Sequence, residues 1–295
     1  MSRLLIMDGH AYAYRAFHAI RELRAPSGEP TNAIYGFIKM LQRIRTQLKP
    51  SHIAVVWDGG LCEVRMAELP EYKAQRAPMP TDLEKQLDGM TEYLKAAGIA
   101  SFCEDKVEAD DYIAWLAKRA VEADLEVVIA SADKDFMQLV QPSVGLVNPN
   151  DKVERIWGAE EVLAKTGVQP AQIVDWLSLI GDAVDNIPGV PGVGLKTATD
   201  LIKQFGSIEN LYLNLPAVKS DRLRGALQSA EVDVRRNQKL IRLNDRLSYE
   251  FSTTALVEQP VDAGHLRDCY LKWGFRTMLA ELDMIHATQG ELLKN

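Results

Sequence analysis

The residues of this 295-residue chain that could do chemistry are mostly carboxylates, and nine of them fall at five places, three of which hold two or three acids each. Asp8 follows the apolar run RLLIM, Asp58 follows HIAVVW, and Asp133 follows EVVIASA, with Asp135 two residues later. VEADD supplies Glu108, Asp110 and Asp111, and GDAVDN supplies Asp182 and Asp185. Taken singly, an aspartate after a strand is commonly a turn residue or a helix cap. Acids at a helix start are favoured by the helix dipole with no further role. Brought together, nine carboxylates would repel one another and bind protons too tightly unless something cationic neutralised them. Hard divalent ions with oxygen ligands do this, and magnesium prefers carboxylates plus water. The chemistry expected of the set is therefore that of a magnesium site.

That expectation needs a scaffold that gathers the clusters. The first half of the chain alternates short aliphatic runs with helical patterns. Strands are expected at Arg3–Met7, His52–Trp57, Glu126–Ala130 and Val144–Val147, with helices such as Ala33–Leu48 and Asp110–Ala123 between them. Alternation of this kind implies an α/β fold with a mainly parallel central sheet flanked by helices. Ligands of such sheets bind at the carboxyl ends of the strands, where Asp8, Asp58, Asp133 and Asp135 would converge. Helical spacing puts Glu108 and Asp111 on one face. Beyond about residue 180 the strand signal fades, and segments near 195–205, 207–213, 220–242 and 263–284 read as helices. The expected organisation is an α/β domain over residues 1–180 and a mainly helical module over 181–295, its last helix packing back on the first domain.

Composition is that of an ordinary globular protein, with 47% hydrophobic and 25% charged residues. No apolar run reaches about 18 residues, which excludes a membrane-spanning helix. Asp8 comes too early for the apolar core of a signal peptide. Cys62, Cys103 and Cys269 are widely spaced, which argues against a zinc site or a disulfide framework and for reduced thiols in a cytoplasmic protein. The five histidines show no HxxxH or HxH spacing, and neither a GxSxG elbow nor a Walker loop is present. Net charge is −7, yet setting the nine clustered acids aside leaves 32 acids against 34 Lys and Arg, so the total does not exclude a phosphate-rich partner. Two segments could face phosphate. IPGVPGVGLKTATDLI places Gly189, Gly192 and Gly194 ahead of Lys196 and Thr197 in a first helical turn, where backbone amides bind phosphate oxygens. The segment from Glu63 to Leu83 interleaves Arg65, Lys73 and Arg76 with Tyr72, a pattern suited to single-stranded nucleic acid. On composition alone a mixed-charge surface helix is the better reading of that segment, because Glu63, Glu68 and Glu71 intervene.

In combination these strings resemble the bacterial type of the 5′-nuclease (flap endonuclease) family: the 5′→3′ exonuclease domain of DNA polymerase I and its stand-alone relatives. The matching strings are MDGHAYAYRAFHAI, GEPTNAIYGF, AVVWD, YKAQRAPMP, VEADDYIAWLA, SADKDFMQLV and GDAVDNIPGVPGVGLKTA. They occur in the family's order over nearly the whole chain, here without a polymerase domain, as in a stand-alone enzyme or a fragment. The resemblance implies a flap-endonuclease, PIN-like fold with a helical arch after Asp58, near residues 60–85, and a helix–three-turn–helix module at Gly189–Leu201. It implies a metal-dependent 5′→3′ exonuclease and flap endonuclease that hydrolyses DNA phosphodiesters by a two-metal mechanism in primer removal, replication or repair.

Carried over residue by residue, Asp8, Asp58, Glu108, Asp110 and Asp111 form a first metal group. Asp133, Asp135, Asp182 and Asp185 form a second, with Asp110 or Asp111 bridging. Lys73 and Arg76 become catalytic cations at the scissile phosphate, Tyr72 stacks on the terminal base, and Arg15 and Arg65 contact DNA. The glycine hairpin, with Lys196 and Thr197, holds the uncleaved duplex strand, with a potassium ion bound there. The implied cofactors are two Mg2+ ions, replaceable by Mn2+. The implied partner is DNA: a 5′ flap, a nicked or branched duplex, or an RNA–DNA primer junction. One departure stands out. Where the family often carries lysines in a stretch like AKGKTFR, this chain reads GGLCEVR, keeping Arg65 but placing Gly60 and Cys62 where lysines would be. A looser grip on single strands is expected from that loss. Two other readings remain: an RNA-cutting nuclease on a related fold, which would be shorter and lack the glycine hairpin, and a non-catalytic binder of branched DNA.

Overall fold

The protein was described from a computed structural model covering residues 2–151 and 155–292. In chain order the first elements are β1 (Arg3–Asp8), α1 (Gly9–Ala19), α2 (Asn32–Leu48), β2 (His52–Trp57), α3 (Glu63–Glu68), α4 (Thr81–Ala96), β3 (Ala100–Cys103) and α5 (Ala109–Glu122). Next come β4 (Glu126–Ala130), β5 (Val144–Val147), α6 (Ala159–Thr166), α7 (Ile173–Ile180) and the short strands β6 (Gly181–Asp182) and β7 (Ile187–Pro188). The remainder is helical: α8 (Leu195–Phe205), α9 (Ile208–Leu213), α10 (Asp221–Ser229), α11 (Glu231–Ile241), α12 (Ala263–Trp273) and α13 (Arg276–Leu292). The chain divides into two interleaved compact units. The first is Met1–Trp57, Met79–Phe102 and Phe251–Asn295; the second is Asp58–Pro78 and Cys103–Glu250.

In the first unit the strand order is β3-β2-β1. β1 and β2 are parallel, with Leu4 opposite His52 and Asp8 opposite Val56. The run Leu4–Met7 is completely buried, as expected of a strand covered on both faces. Helix α2 buries Ile34, Phe37, Ile38, Leu41 and Ile44, spaced by three or four residues, on a single stripe. It meets α1 closely at Gly36, where an added Cβ would lie 2.9 Å from the Ala16 Cβ. Helices α4 and α12 pack together in the same unit.

In the second unit β4 and β5 are parallel, with Val127 opposite Val144. Helix α7 leads into the antiparallel β6–β7 pair, in which Gly181 faces Pro188 and Asp182 faces Ile187. Among the described residues no helix is long and apolar enough to cross a membrane.

The expected strands and the helices flanking them fall within a residue or two of those observed. Two expected helices are each broken in two. The segment 220–242 is interrupted at Ala230, where the backbone leaves helical values (φ −96°, ψ 3°). The segment 263–284 is interrupted at Gly274, whose left-handed conformation (φ 76°) lets Phe275 N donate to Tyr270 O at 2.8 Å and closes α12. In the segment expected to form an arch, near residues 60–85, the six-residue α3 is followed by turns over residues 70–75 and then by the start of α4 at Thr81.

Candidate metal centre

In the second unit several of the acids are held by the turns that present them. Beyond β4 the chain bends at Ser131, whose Oγ accepts a hydrogen bond from Asp133 N at 3.1 Å. Asp133 in turn accepts from Asp135 N at 2.8 Å and caps the 3₁₀ turn Lys134–Leu139. Asp182 does the same for Val184 N at 2.9 Å in the turn between β6 and β7. Glu108 stands at the N-cap of α5 and puts Asp110 and Asp111 into its first turn, where unpaired amides favour anions. Asp58 accepts from Gly60 N at 2.8 Å. Gly59 ties this turn to the loop before α5, donating to Val107 O at 3.0 Å and accepting from Lys106 N at 2.9 Å. A Cβ on Gly59 would fall 1.7 Å from Glu104 O, so only glycine fits there.

Carboxylate oxygens of Asp135, Asp182 and Asp185 lie within 4.8 Å of one another. Asp135 Oδ1 is buried and has no hydrogen-bond partner among the described residues. Burial, and then the charges of Asp133 and Asp182, push the Asp135 carboxyl well above the usual carboxylate range. The recess around Asp133, reinforced by Asp185 and Asp182, raises its carboxyl as well, although its side chain reaches solvent. A buried oxygen without a donor, facing other anionic oxygens, is the arrangement a hard cation satisfies. The donor set therefore fits divalent ions.

Four cationic side chains approach the same acids. Lys73, 5% exposed, has Nζ 2.7 Å from Glu108 Oε2 and 4.0 Å from Asp185 Oδ2. Its backbone is left-handed, with φ 56°, and its N donates to Asp185 O at 3.0 Å. Arg76 reaches Asp185 Oδ1 at 2.6 Å, and Lys134 reaches Asp182 Oδ2 at 2.7 Å. Arg65 grips Asp111 with two nitrogens at 2.8 and 2.7 Å, touches Glu108 at 3.1 Å, and donates to Leu240 O at 2.9 Å. Burial by itself would raise the Glu108 carboxyl, but Lys73 and Arg65 hold it below its ordinary value.

Several expected roles meet a different placement. Tyr72, expected to stack on a base, is only 3% exposed, with its hydroxyl 3.1 Å from Glu108 Oε2 and 3.4 Å from Asp185 Oδ2. Arg65, expected to contact DNA, is a buried counter-ion of Asp111 and Glu108. The physical reason is common to both: buried carboxylates draw in the nearest donors. Asp8 and Arg15 belong to the other unit. Asp8 ends β1 and accepts from Ala11 N at 3.0 Å as the cap of α1, and Arg15 is half-buried on α1. In the glycine hairpin a Cβ on Gly189 would lie 2.0 Å from Ile180 O, whereas Gly192 and Gly194 face open space. Lys196 is exposed and Thr197 half-buried in the first turn of α8. Two residues escaped sequence reasoning. Lys134 could have been suspected from its place between two expected ligands. Asn237, fully buried, donates through Nδ2 to Ser178 O at 3.2 Å and Pro188 O at 2.7 Å and so braces the hairpin. A lone mid-helix amide carries no signal of that kind.

Comparison with known proteins adds an independent line. Residues 3–167 match the family described as the 5′-3′ exonuclease N-terminal resolvase-like domain, and residues 168–264 match the 5′-3′ exonuclease C-terminal SAM fold. A 5′-3′ exonuclease of Aquifex aeolicus is 37% identical over 286 residues, covering 97% of this chain and 96% of its own length. DNA polymerase I of Bacillus caldotenax is 35% identical over 95% of this chain, which spans only 32% of that polymerase. Among solved structures, the bacteriophage T5 D15 flap endonuclease, in a pseudo-enzyme-product complex with DNA and metal ions, superposes with a TM-score of 0.68. That match has 22% identity and covers 92% of this chain and 99% of the other.

Proposed function

Because the chain belongs to the 5′-3′ exonuclease family, we infer that it is a metal-dependent, structure-specific 5′ nuclease that hydrolyses DNA phosphodiesters at 5′ ends and 5′ flaps. The observation that carries the reading is Asp135 Oδ1, a buried anionic oxygen with no donor among the described residues, in a cluster with Asp182 and Asp185. The ligands proposed are Asp8, Asp58, Glu108, Asp110, Asp111, Asp133, Asp135, Asp182 and Asp185, and the ions are two Mg2+, with Mn2+ able to substitute. Bound divalent ions supply acidity to an attacking water and charge stabilisation to the leaving 3′ oxygen.

The chain's own residues do the rest. The acids fix where the phosphate is held, while Lys73 and Arg76 add positive charge where the transition state gathers negative charge. Those two side chains pair with Glu108 and Asp185. Once the carboxylates have other counter-ions, both become free to turn to phosphate. Residues 1–180 are read as the nuclease domain, and 181–295 as the DNA-binding module, with Gly189, Gly192, Gly194, Lys196 and Thr197 on the uncleaved duplex and a K+ ion at the hairpin. Arg15, Arg65 and Tyr72 are read as further DNA contacts. The substrate class is flap, nicked or branched DNA, or an RNA–DNA primer junction, met in the cytoplasm during replication or repair.

The test is cleavage of a 5′-labelled flap substrate in magnesium by the wild type, Asp133→Ala and Asp185→Ala. Both variants should lose cleavage while keeping a folded circular dichroism spectrum. Undiminished cutting by either one overturns the proposed centre.

A further inference from the structure

The first unit carries a second group of metal-ligating side chains, made of different atoms from the acidic centre. Glu92 lies in the C-terminal half of α4, and His265 and Cys269 stand four residues apart on α12, on one face of that helix. One ligand atom from each of the three lies within 4.8 Å of the other two. His265 Nε2 is 3.2 Å from Glu92 Oε1, and Lys272 Nζ is 3.2 Å from the other carboxylate oxygen, Oε2. Cys269 is buried, at 1% exposure, while His265 and Glu92 have side chains 39% and 33% exposed. The group thus has a buried sulfur and two arms that reach solvent.

We propose that Glu92, His265 and Cys269 bind one borderline-soft divalent transition ion, of which Zn2+ is the representative. One imidazole nitrogen, one sulfur and one carboxylate oxygen are the ligand set of such an ion, and hard magnesium has no use for sulfur. Bonds of about 2.0–2.3 Å place tetrahedral ligands roughly 3.5 Å apart, so the arms need draw in by only about an ångström. The exposed His265 and Glu92 can make that movement by rotamer adjustment. Asp262 Oδ1 accepts from His265 N at 3.0 Å and fixes the start of α12, so the histidine and the cysteine are held in register. Lys272, bonded to the oxygen that the ion does not use, holds the carboxylate in the orientation the ion needs. The ion would take the position of the proton shared by His265 and Glu92, and the Cys269 thiol would release its proton to water as the sulfur–metal bond forms. Three protein ligands leave a fourth position open to water. The pattern escapes a sequence scan because the spacing joins a histidine to a cysteine and takes its third ligand from a helix more than 170 residues away.

The test uses the whole protein, freed of metals and then held in excess Mg2+ so that the carboxylate centre is occupied. Co2+ is titrated in as the probe, because a thiolate bound to cobalt gives a near-ultraviolet charge-transfer band that oxygen ligands cannot give. The expected result is a band saturating at one equivalent per chain and bleached by Zn2+. Cys269→Ser should abolish it, and His265→Gln and Glu92→Gln should weaken Co2+ binding by about tenfold or more. Cys62→Ser and Cys103→Ser should leave it intact. Absence of a band, its survival in Cys269→Ser, its loss in Cys62→Ser or Cys103→Ser, or undiminished Co2+ binding by His265→Gln and Glu92→Gln would overturn the proposal. His265 and Glu92 are partly exposed, so their variants remain decisive even if Cys269→Ser folds poorly. None of these outcomes depends on nuclease activity.

Discussion

Asp135 and Arg65 meet the same electrostatic problem from opposite sides. Asp135 is a buried carboxyl with an unpartnered oxygen, so its charge is a cost that a proton or a bound cation relieves. Replacing it by Asn keeps the shape and removes the charge. Asp135→Asn should therefore stabilise the metal-free protein by about 1 kcal/mol, of the order seen when function-bound strain is removed. The same change should shrink the rise in Tm on adding Mg2+ and abolish cleavage. A metal-free Tm below wild type with an unchanged Mg2+ increment would sink this account of Asp135. Arg65 is the converse, a cation whose removal strands Glu108 and Asp111 in the interior. Arg65→Ala should cost about 3–5 kcal/mol in urea unfolding, as expected when one partner of a buried pair is lost. Lys should not restore it, because an ammonium cannot make the two-pronged contact with Asp111. Arg76, whose side chain is 43% exposed, should behave differently. Arg76→Ala is expected to change stability by no more than about 1 kcal/mol while cutting cleavage severely. Equal stability losses for the two variants would show that Arg65 is not the buried brace its contacts indicate.

Among the elements, the glycine hairpin makes a sharp demand on sequence. Gly189 passes so close to the end of α7 that any side chain would strike the Ile180 carbonyl, 2.0 Å from an ideal Cβ. Gly194 caps α8 with ordinary extended backbone (φ −99°) and open space around it. Gly189→Ala should therefore disrupt the β6–β7 pair and lower Tm by several degrees. Gly194→Ala should fold normally and report only on duplex binding, measured by fluorescence anisotropy. A wild-type Tm for Gly189→Ala would contradict the tight packing of that turn. Elements of this kind were partly legible beforehand. The strands of RLLIM and EVVIA announce themselves because both their faces are buried, and amphipathic α2 shows its stripe. β3 carries no such signal: its four residues are alternately half-buried and exposed. The break at Gly274 depends on a left-handed turn, which a glycine in a helical pattern permits without requiring.

For the whole molecule, the clustered acids Asp135, Asp182 and Asp185 were legible because strand ends and turns are marked in sequence, whereas the cations beside them were not. Nothing in the segment from Glu63 to Leu83 says that Arg65, Tyr72 and Lys73 turn inward, since its composition suits a solvated helix equally well. That inward turn bears on how a chain of net charge −7 meets DNA. Four cations pair with the protein's own carboxylates, and the chain as a whole carries more acids than bases. Two divalent ions would add four positive charges at the acidic crevice and free Lys73 and Arg76 for phosphate. Binding of a 5′-flap DNA should then be stronger in Ca2+, a hard ion taken here as supporting binding without turnover, than in chelator. At about 0.1 M salt the difference should be at least tenfold, the size of effect that focused positive potential produces. The steeper salt dependence should appear in Ca2+, because more phosphates would then be neutralised by the protein. Lys73→Ala should remove part of the gain, since its ammonium is among the charges released. Equal affinities in Ca2+ and chelator would mean that the acidic crevice takes no part in holding DNA, and the molecule would have to be understood as a binder whose contacts lie elsewhere.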